Sequence, residues 1–283
     1  MANIALVTDS TAYIPQDLVK KYNITVAPQV LIWGKEELAD GVDIQPTEFY
    51  KRLGKATIMP STSQVTVGKM HQIFQGLLDQ DLQVLAIMVS SKLSGTINSA
   101  VQAVAALPEG APVHIVDSQT TAMAMGFITI SVARAIEQGA TMKECVELAE
   151  KSIGHTGVVF AVDTLEFLHR GGRIGSATRF LGAALNLKPI LEVQDGKVEA
   201  IERVRTRSKS LSRLVELAEE RVAGRAPVHL ATLHANASED AKLVLQEARQ
   251  RLNAVESIIS EVSPVVGTHT GPGTVGLAFM AGM

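Results

Sequence analysis

Short apolar runs alternate with amphipathic stretches through the first half of the chain. Ile4–Val7 is unbroken in its apolar character, as a strand covered on both faces is, and it stops at Thr8-Asp9-Ser10-Thr11. Pro15 suits the first turn of a helix. Ile24–Ile32 reads as the next strand, followed by an Asp40-Gly41 turn and a second proline-initiated helix at Pro46–Leu53. Val67, Met70, Ile73, Phe74 and Leu77 recur at helical spacing ahead of two further strands, Gln83–Val89 and Val113–Val116. Ala122–Glu137 reads as a helix closed by Gly139, and Thr141 with Glu144 forms a capping box that opens another. Strand–helix alternation of this kind predicts an α/β fold whose first sheet is mainly parallel and covered by helices.

The second half is patterned differently. Gly157–Val162 reads as a strand and Asp163–Arg170 as a short helix ended by Gly171-Gly172. Within residues 189–201, Asp195-Gly196 separates two strand-like runs and predicts a β-hairpin. Helices at Ser208–Val222 and Ser238–Leu252 alternate with strands at Val228–His234 and Val255–Val262. A hairpin joined to two such units implies a second sheet of mixed or antiparallel type. The expected division is residues 1–155 for the parallel α/β domain and 156–270 for the second α/β domain. No linker rich in Pro, Gly or Ser marks the boundary, so the domains should pack closely, with an exchange of the terminal segment 271–283 into the first domain left open. Thr274–Ala281 reads as a terminal helix.

Composition narrows the class. The chain is 46% hydrophobic but only 4% aromatic, so its core rests on aliphatic residues and Met, and disorder is excluded. A net charge of −3 gives no general attraction to nucleic acid or anionic membranes. The single cysteine, Cys145, fits a reducing compartment and reads as core. The N-terminus lacks a signal-peptide pattern, and no apolar run approaches the roughly 18 residues that would span a bilayer. A cytoplasmic protein without stable membrane insertion is expected.

Candidate chemistry gathers where α/β proteins place their ligands, beyond the carboxyl ends of strands. Four polar clusters stand out, Thr8–Thr11, Ser61–Gln64, Ser90–Thr96 and Asp117–Thr121, and all but the Ser61 cluster directly follow a predicted strand. Each precedes a predicted helix, where backbone N–H groups and the helix dipole favour an anion. Helix capping is the ordinary reading of any one of them; four together predict a shared polar crevice. Gly271-Pro272-Gly273-Thr274-Val275-Gly276 has the spacing of a dinucleotide loop, but no βα unit or acidic residue follows it. It reads better as a tight turn preceded by His269. A phosphate loop of the Walker type and a Gly-x-Ser-x-Gly elbow are both missing. The histidines show no metal-ligand spacing. Arg170, Arg173, Arg179, Arg203, Arg205, Arg207 and Lys209 form a basic set without interleaved aromatics, which suits an acidic or phosphate-bearing partner better than nucleic acid.

Taken in order, Val7–Thr11, Thr62–Gln64, Ser90–Thr96, Val116–Ser118, Thr164–Ile174 and His269–Gly273 resemble the DegV family of bacterial fatty-acid-binding proteins across nearly the whole chain. Val65 stands where that family often has Pro, and Lys92 where a small residue is common. The resemblance implies a two-domain α/β carrier that buries one long-chain fatty acid such as palmitate or oleate, with no cofactor. It implies that Thr62 and Ser94 hydrogen-bond the carboxylate, with His269 close by. It further implies a separate fatty acid kinase as partner, with Arg173 and Arg205 near the head group or at the docking surface, and no catalytic residue in the chain itself. The alternative is a stand-alone enzyme, either a Ser94/His269 hydrolase or a small-molecule kinase.

Overall fold

The computed structural model describes residues 3–182 and 187–283. In its first half, strands β1 (Ile4–Asp9), β2 (Thr25–Ala27), β3 (Val30–Trp33), β4 (Glu36–Ala39), β5 (Ser61–Ser63), β6 (Gln83–Met88) and β7 (Val113–Asp117) divide between two sheets. The larger is parallel, in the order β2-β1-β6-β7. The smaller is antiparallel, in the order β4-β3-β5. Ile24–Ile32 is therefore two strands in two sheets. Pro28 lies between them and has no N–H to continue a ladder, so the chain leaves the parallel sheet there.

Helices at Ala122–Glu137 and Met142–Ile153 follow β7, and the capping box between Thr141 and Glu144 is formed. The first of these is buried nearly all round and carries Met123, Met125, Phe127, Ile128 and Ile130 in the core shared with the second half. A helix apolar on every face belongs between layers, and this one lies between the two large sheets.

The second sheet contains β8 (Thr156–Ala161), β9 (Lys188–Gln194), β10 (Lys197–Val204), β11 (Val228–His234), β12 (Glu256–Glu261) and β13 (Val275–Ala281), in the order β10-β9-β8-β13-β11-β12. It is mixed: β11 and β12 are parallel and the other pairs antiparallel. Asp195 and Gly196 form the β9–β10 turn with positive φ at both positions, the backbone that a tight hairpin requires. Side chains on one face of this sheet, among them Val159 and Leu277, pack with the helices at Arg207–Val222 and Ser238–Leu252. The opposite face, including Val158 and Leu233, turns toward the first half.

Val275–Ala281 is a strand, not the terminal helix its composition suggests, and it belongs to the second sheet, not to the first half. Every residue of it is buried. A short apolar segment covered on both faces lacks the alternation that distinguishes strand from helix. His269 in turn lies in a helix, Pro264–Thr270, that starts with a proline at its first turn.

Candidate functional site

Between the two halves lies a cavity with about 920 Å³ of empty space, part of it open to solvent. Its two sides differ. Val158 and Phe160 of β8, Val193 of β9, Val198 of β10, Leu233 of β11 and Gly276 of β13 supply an apolar wall. Gly276 pairs with Phe160 on one side and Leu233 on the other, so the three share one face of the sheet. A Cβ at Gly276 would lie 3.3 Å from Phe160 Cβ and 3.4 Å from Leu233 Cδ1, so a side chain there would crowd the apolar wall.

The other side is built from the ends of elements in the first half and from the helix at Pro264–Thr270. Thr62, Ser63 and Gln64 come from β5 and its exit, and Ser94 from the loop before the helix at Thr96–Ala105. Gln29 follows Pro28, and Arg173 follows the short helix at Glu166–Arg170. Thr62, Ser94, His269 and Arg173 all line this one cavity. Arg205 does not: it is exposed beyond the end of β10 and is not among the lining residues.

Thr62 Oγ1 lies 2.7 Å from His269 Nε2. Burial, reinforced by the positive charge of Arg173, lowers the His269 pKa to about 4, so the ring is neutral at pH 7. Its Nδ1 is buried without a hydrogen-bond partner among the described residues. The ring packs on the backbone of Gly171, where any Cβ would collide with it. Glycine in the Gly171-Gly172 segment thus serves the close approach of the imidazole. The histidine is held by packing and by one hydroxyl, and among the described residues no carboxylate orients it.

Ser94 Oγ has different neighbours. It lies 2.9 Å from Thr96 Oγ1, donates to Gln29 Oε1 at 3.4 Å and accepts from the Thr96 N–H at 3.3 Å. Its loop is held from the second half at three points. Ser90 Oγ donates to Gly196 O at 2.9 Å, Lys92 Nζ to Asp195 O at 2.7 Å, and Arg173 Nε to Leu93 O at 3.0 Å. The hairpin turn therefore docks on the Ser94 loop, and Lys92 reaches that turn. Arg173 also donates through Nη1 to Gly171 O at 2.8 Å, so one exposed guanidinium joins the Ser94 loop to the segment under His269.

Behind this rim, Asp9 and Asp40 are buried. Asp9 accepts from the Thr11 N–H and hydroxyl at 3.0 and 2.6 Å and from the Val89 N–H at 2.8 Å. Burial nonetheless raises its pKa, and raises that of Asp40 to about 6 against the opposing hydrogen bond from Ser10. Neither aspartate was singled out by sequence, nor was Gln29. Asp9 lies in the Thr8–Thr11 cluster, where burial of its carboxylate is what sequence alone does not show. Among the described residues no cluster of His, Cys, Asp or Glu could hold a metal ion. No helix among them is long and apolar enough to cross a membrane.

An α/β chain whose two halves enclose a largely apolar cavity, closed at one rim by hydroxyls, amides and an imidazole, is the class this geometry defines. The DegV family model, described as covering uncharacterised proteins of that name, matches residues 3–282, and the chain belongs to the DegV family. A DegV domain-containing protein of Streptomyces coelicolor is 37% identical to it, over 97% of each chain. Two solved structures share its fold. One is a DegV family protein from Thermus thermophilus described by its fatty acid binding, with a TM-score of 0.93, 32% identity and 99% of each chain covered. The other is DegV from Bacillus subtilis, described as a fatty acid binding protein, with a TM-score of 0.89, 31% identity and 99% and 100% of the two chains covered.

Proposed function

We propose that this chain is a non-catalytic, cytoplasmic carrier that binds one long-chain fatty acid without covalent attachment. The tail lies along the apolar wall; the carboxylate is held by Thr62 and Ser94, with His269 beside it. The observation that carries this reading is the convergence of Thr62, Ser94 and His269 on one rim of a cavity whose opposite wall is apolar. The fatty acid binding described for two solved relatives above 30% identity supports it.

The energetics suit the two walls. Each buried methylene contributes about 0.8 kcal/mol, so roughly 14 of them contribute about 11 kcal/mol before association costs. A hydrogen bond to a charged group adds about 1.5–3 kcal/mol, less the desolvation of the carboxylate. The tail supplies the affinity and the hydroxyls fix where the head lies. Neutral His269 gives Thr62 a hydrogen-bond partner without making an ion pair that would lock the acid in place.

The bound acid is presented to a separate fatty acid kinase, whose ATP supplies the phosphoryl group to the carboxylate. Arg173 at the rim suits the head group or its phosphate, and Arg205, exposed farther along, suits docking. The reading as a stand-alone Ser94/His269 hydrolase is the weaker one. Ser94 pairs with Gln29 and Thr96, His269 pairs with Thr62, and His269 Nδ1 has no carboxylate partner among the described residues.

Solvent extraction and mass spectrometry of the purified protein test the reading. One fatty acid per chain is expected; a chain that is empty and takes up neither palmitate nor oleate would sink it. Arg173→Ala should spare binding and depress phosphorylation by the kinase. An unchanged rate would remove Arg173 from the transfer.

A further inference from the structure

Two residues within the polar clusters have no part in the site as described so far: Gln64, which ends Ser61–Gln64, and Gly95, within Ser90–Thr96. The fold sets them against each other. Gln64 is exposed, lines the cavity directly after β5 and lies two residues beyond Thr62. Gly95 follows Ser94 and precedes the helix at Thr96–Ala105. A Cβ at Gly95 would lie 3.1 Å from Gln64 Cδ, 3.2 Å from its Nε2 and 3.4 Å from its Oε1. Three near-equal distances mean that the amide lies face-on across the glycine. Backbone conformation does not call for glycine there, because φ is −75° and outside the left-handed region. What the missing side chain provides is room for the amide.

The amide is also uncommitted. Ser94 Oγ is engaged with Gln29 and Thr96, Thr62 with His269, and Arg173 donates through Nε and Nη1 to backbone carbonyls, whereas Gln64 makes no hydrogen bond among the described residues. Both N–H groups of its NH₂ are therefore unspent. A donor whose place is set by packing, at the edge shared by the Thr62 strand and the Ser94 loop, suits an anion that reaches the rim.

We propose that Gln64, laid across Gly95, donates from its NH₂ to the carboxylate of the bound acid and is a specificity-determining residue for that head group. This rests on the fatty acid reading of the cavity. Hydrogen bonds to an ionised acceptor are about twice as strong as neutral ones, so the amide favours a carboxylate over an alcohol on the same tail.

The experiment compares binding of palmitate and of hexadecanol, equal in chain length, at pH 7.5. The proteins are wild type, Gln64→Ala, Gln64→Glu, Gly95→Ala and the double variant Gln64→Ala with Gly95→Ala, with circular dichroism on each. Gln64→Ala should weaken palmitate about fivefold and hexadecanol less than about twofold. Gln64→Glu should weaken palmitate further, because two carboxylates then face each other, while it still accepts from the alcohol O–H. Gly95→Ala should displace the amide and weaken palmitate about threefold, and should add nothing once Gln64 is already Ala. Three results would overturn the proposal: equal losses for both ligands in Gln64→Ala, no loss of palmitate in Gln64→Ala or Gln64→Glu, or a Gly95→Ala effect that persists in full in the double variant. A wild type that binds neither ligand would instead overturn the fatty acid reading itself.

Discussion

The two walls of the cavity come from two kinds of structure, and each is suited to what it carries. The second sheet offers Val158, Phe160, Leu233 and Gly276 from adjacent strands, whose backbone groups are already spent on one another in the ladder. Such a surface has only side chains to present, and here they are apolar. The facing wall is made of strand exits, loops and helix starts, where backbone and hydroxyl groups are still free to point at a ligand. On the proposed reading the sheet supplies affinity without choosing a head group, and the rim chooses without contributing much affinity. Substitutions on the two walls should therefore fail in different ways.

The largest effect is expected on the sheet side. Gly276→Leu should push a side chain into the tail's path, and loss of roughly four methylenes of burial weakens binding by more than about a hundredfold. Fatty acid content by mass spectrometry, with circular dichroism to confirm the fold, checks this; a fully loaded variant would show that the tail runs elsewhere. On the rim, Thr62→Ala and Ser94→Ala should each weaken palmitate by about tenfold or more while hexadecanol binds almost as before. Parallel losses for the alcohol would mean that the two walls do not divide the work.

A subtler expectation concerns pH in the ligand-free protein. His269 titrates near 4 when folded and near 6.5 when unfolded, so between those values the unfolded chain takes a proton that the folded chain refuses, and His269 makes stability rise with pH. Asp40 acts in the opposite sense. Its folded pKa is about 6 against 3.8 unfolded, so between these values the folded chain keeps a proton, and stability falls as pH rises. His269→Asn should remove this rising contribution and keep the falling one from Asp40, so stability should rise less steeply, or fall, across pH 4–6. Denaturant midpoints measured through that range check it, and an unchanged slope would refute the buried, neutral imidazole.

The smallest effect on binding is expected far from both walls. Glu256 accepts from His229 at 2.8 Å and from Arg134 at 2.8 and 3.0 Å, tying the helix at Ala122–Glu137 to the second sheet. The His229 hydrogen bond, aided by Arg134, lowers the Glu256 pKa to about 2 against the cost of burial. Its contribution is complete above the ordinary value of 4.5 and is lost as pH falls toward 2. Glu256→Gln should lower the thermal midpoint at pH 7 and leave palmitate affinity unchanged; a large change in affinity would mean that the rim depends on this distant tie.

Much of the frame could be read from residues because local chemistry and tertiary demand agree there. The capping box at Thr141 and the Asp195-Gly196 turn are local signals, and both form. The failures have a shared cause. Thr25–Ala27 and Val30–Trp33 differ by sheet, not by composition, and Val275–Ala281 is apolar throughout because it is covered on both faces. Ser61–Ser63 looks like a loop, yet it pairs with β3 and so carries Thr62 to the rim. The four polar clusters are legible in the sequence, and each contributes residues to the cavity lining. Which hydroxyl meets which ring depends on contacts such as Thr62 with His269, 207 residues apart, and no local pattern encodes that. Family likeness supplied those names. It did not supply Gln29, whose contacts with Asp9 and Ser94 appear only in the fold.

The place of β13 bears on how the protein is made. It pairs with β8 on one side and β11 on the other, and both precede it in the chain. The second sheet cannot close while residues up to Ala281 are still inside the ribosome, and until then β8 and β11 have open, apolar edges toward each other. Such long-range pairing is slow and exposes adhesive surface. Gly276, which lines the cavity, arrives with this strand. The apolar wall of the cavity is thus complete only once β13 has been made and has paired with both neighbours.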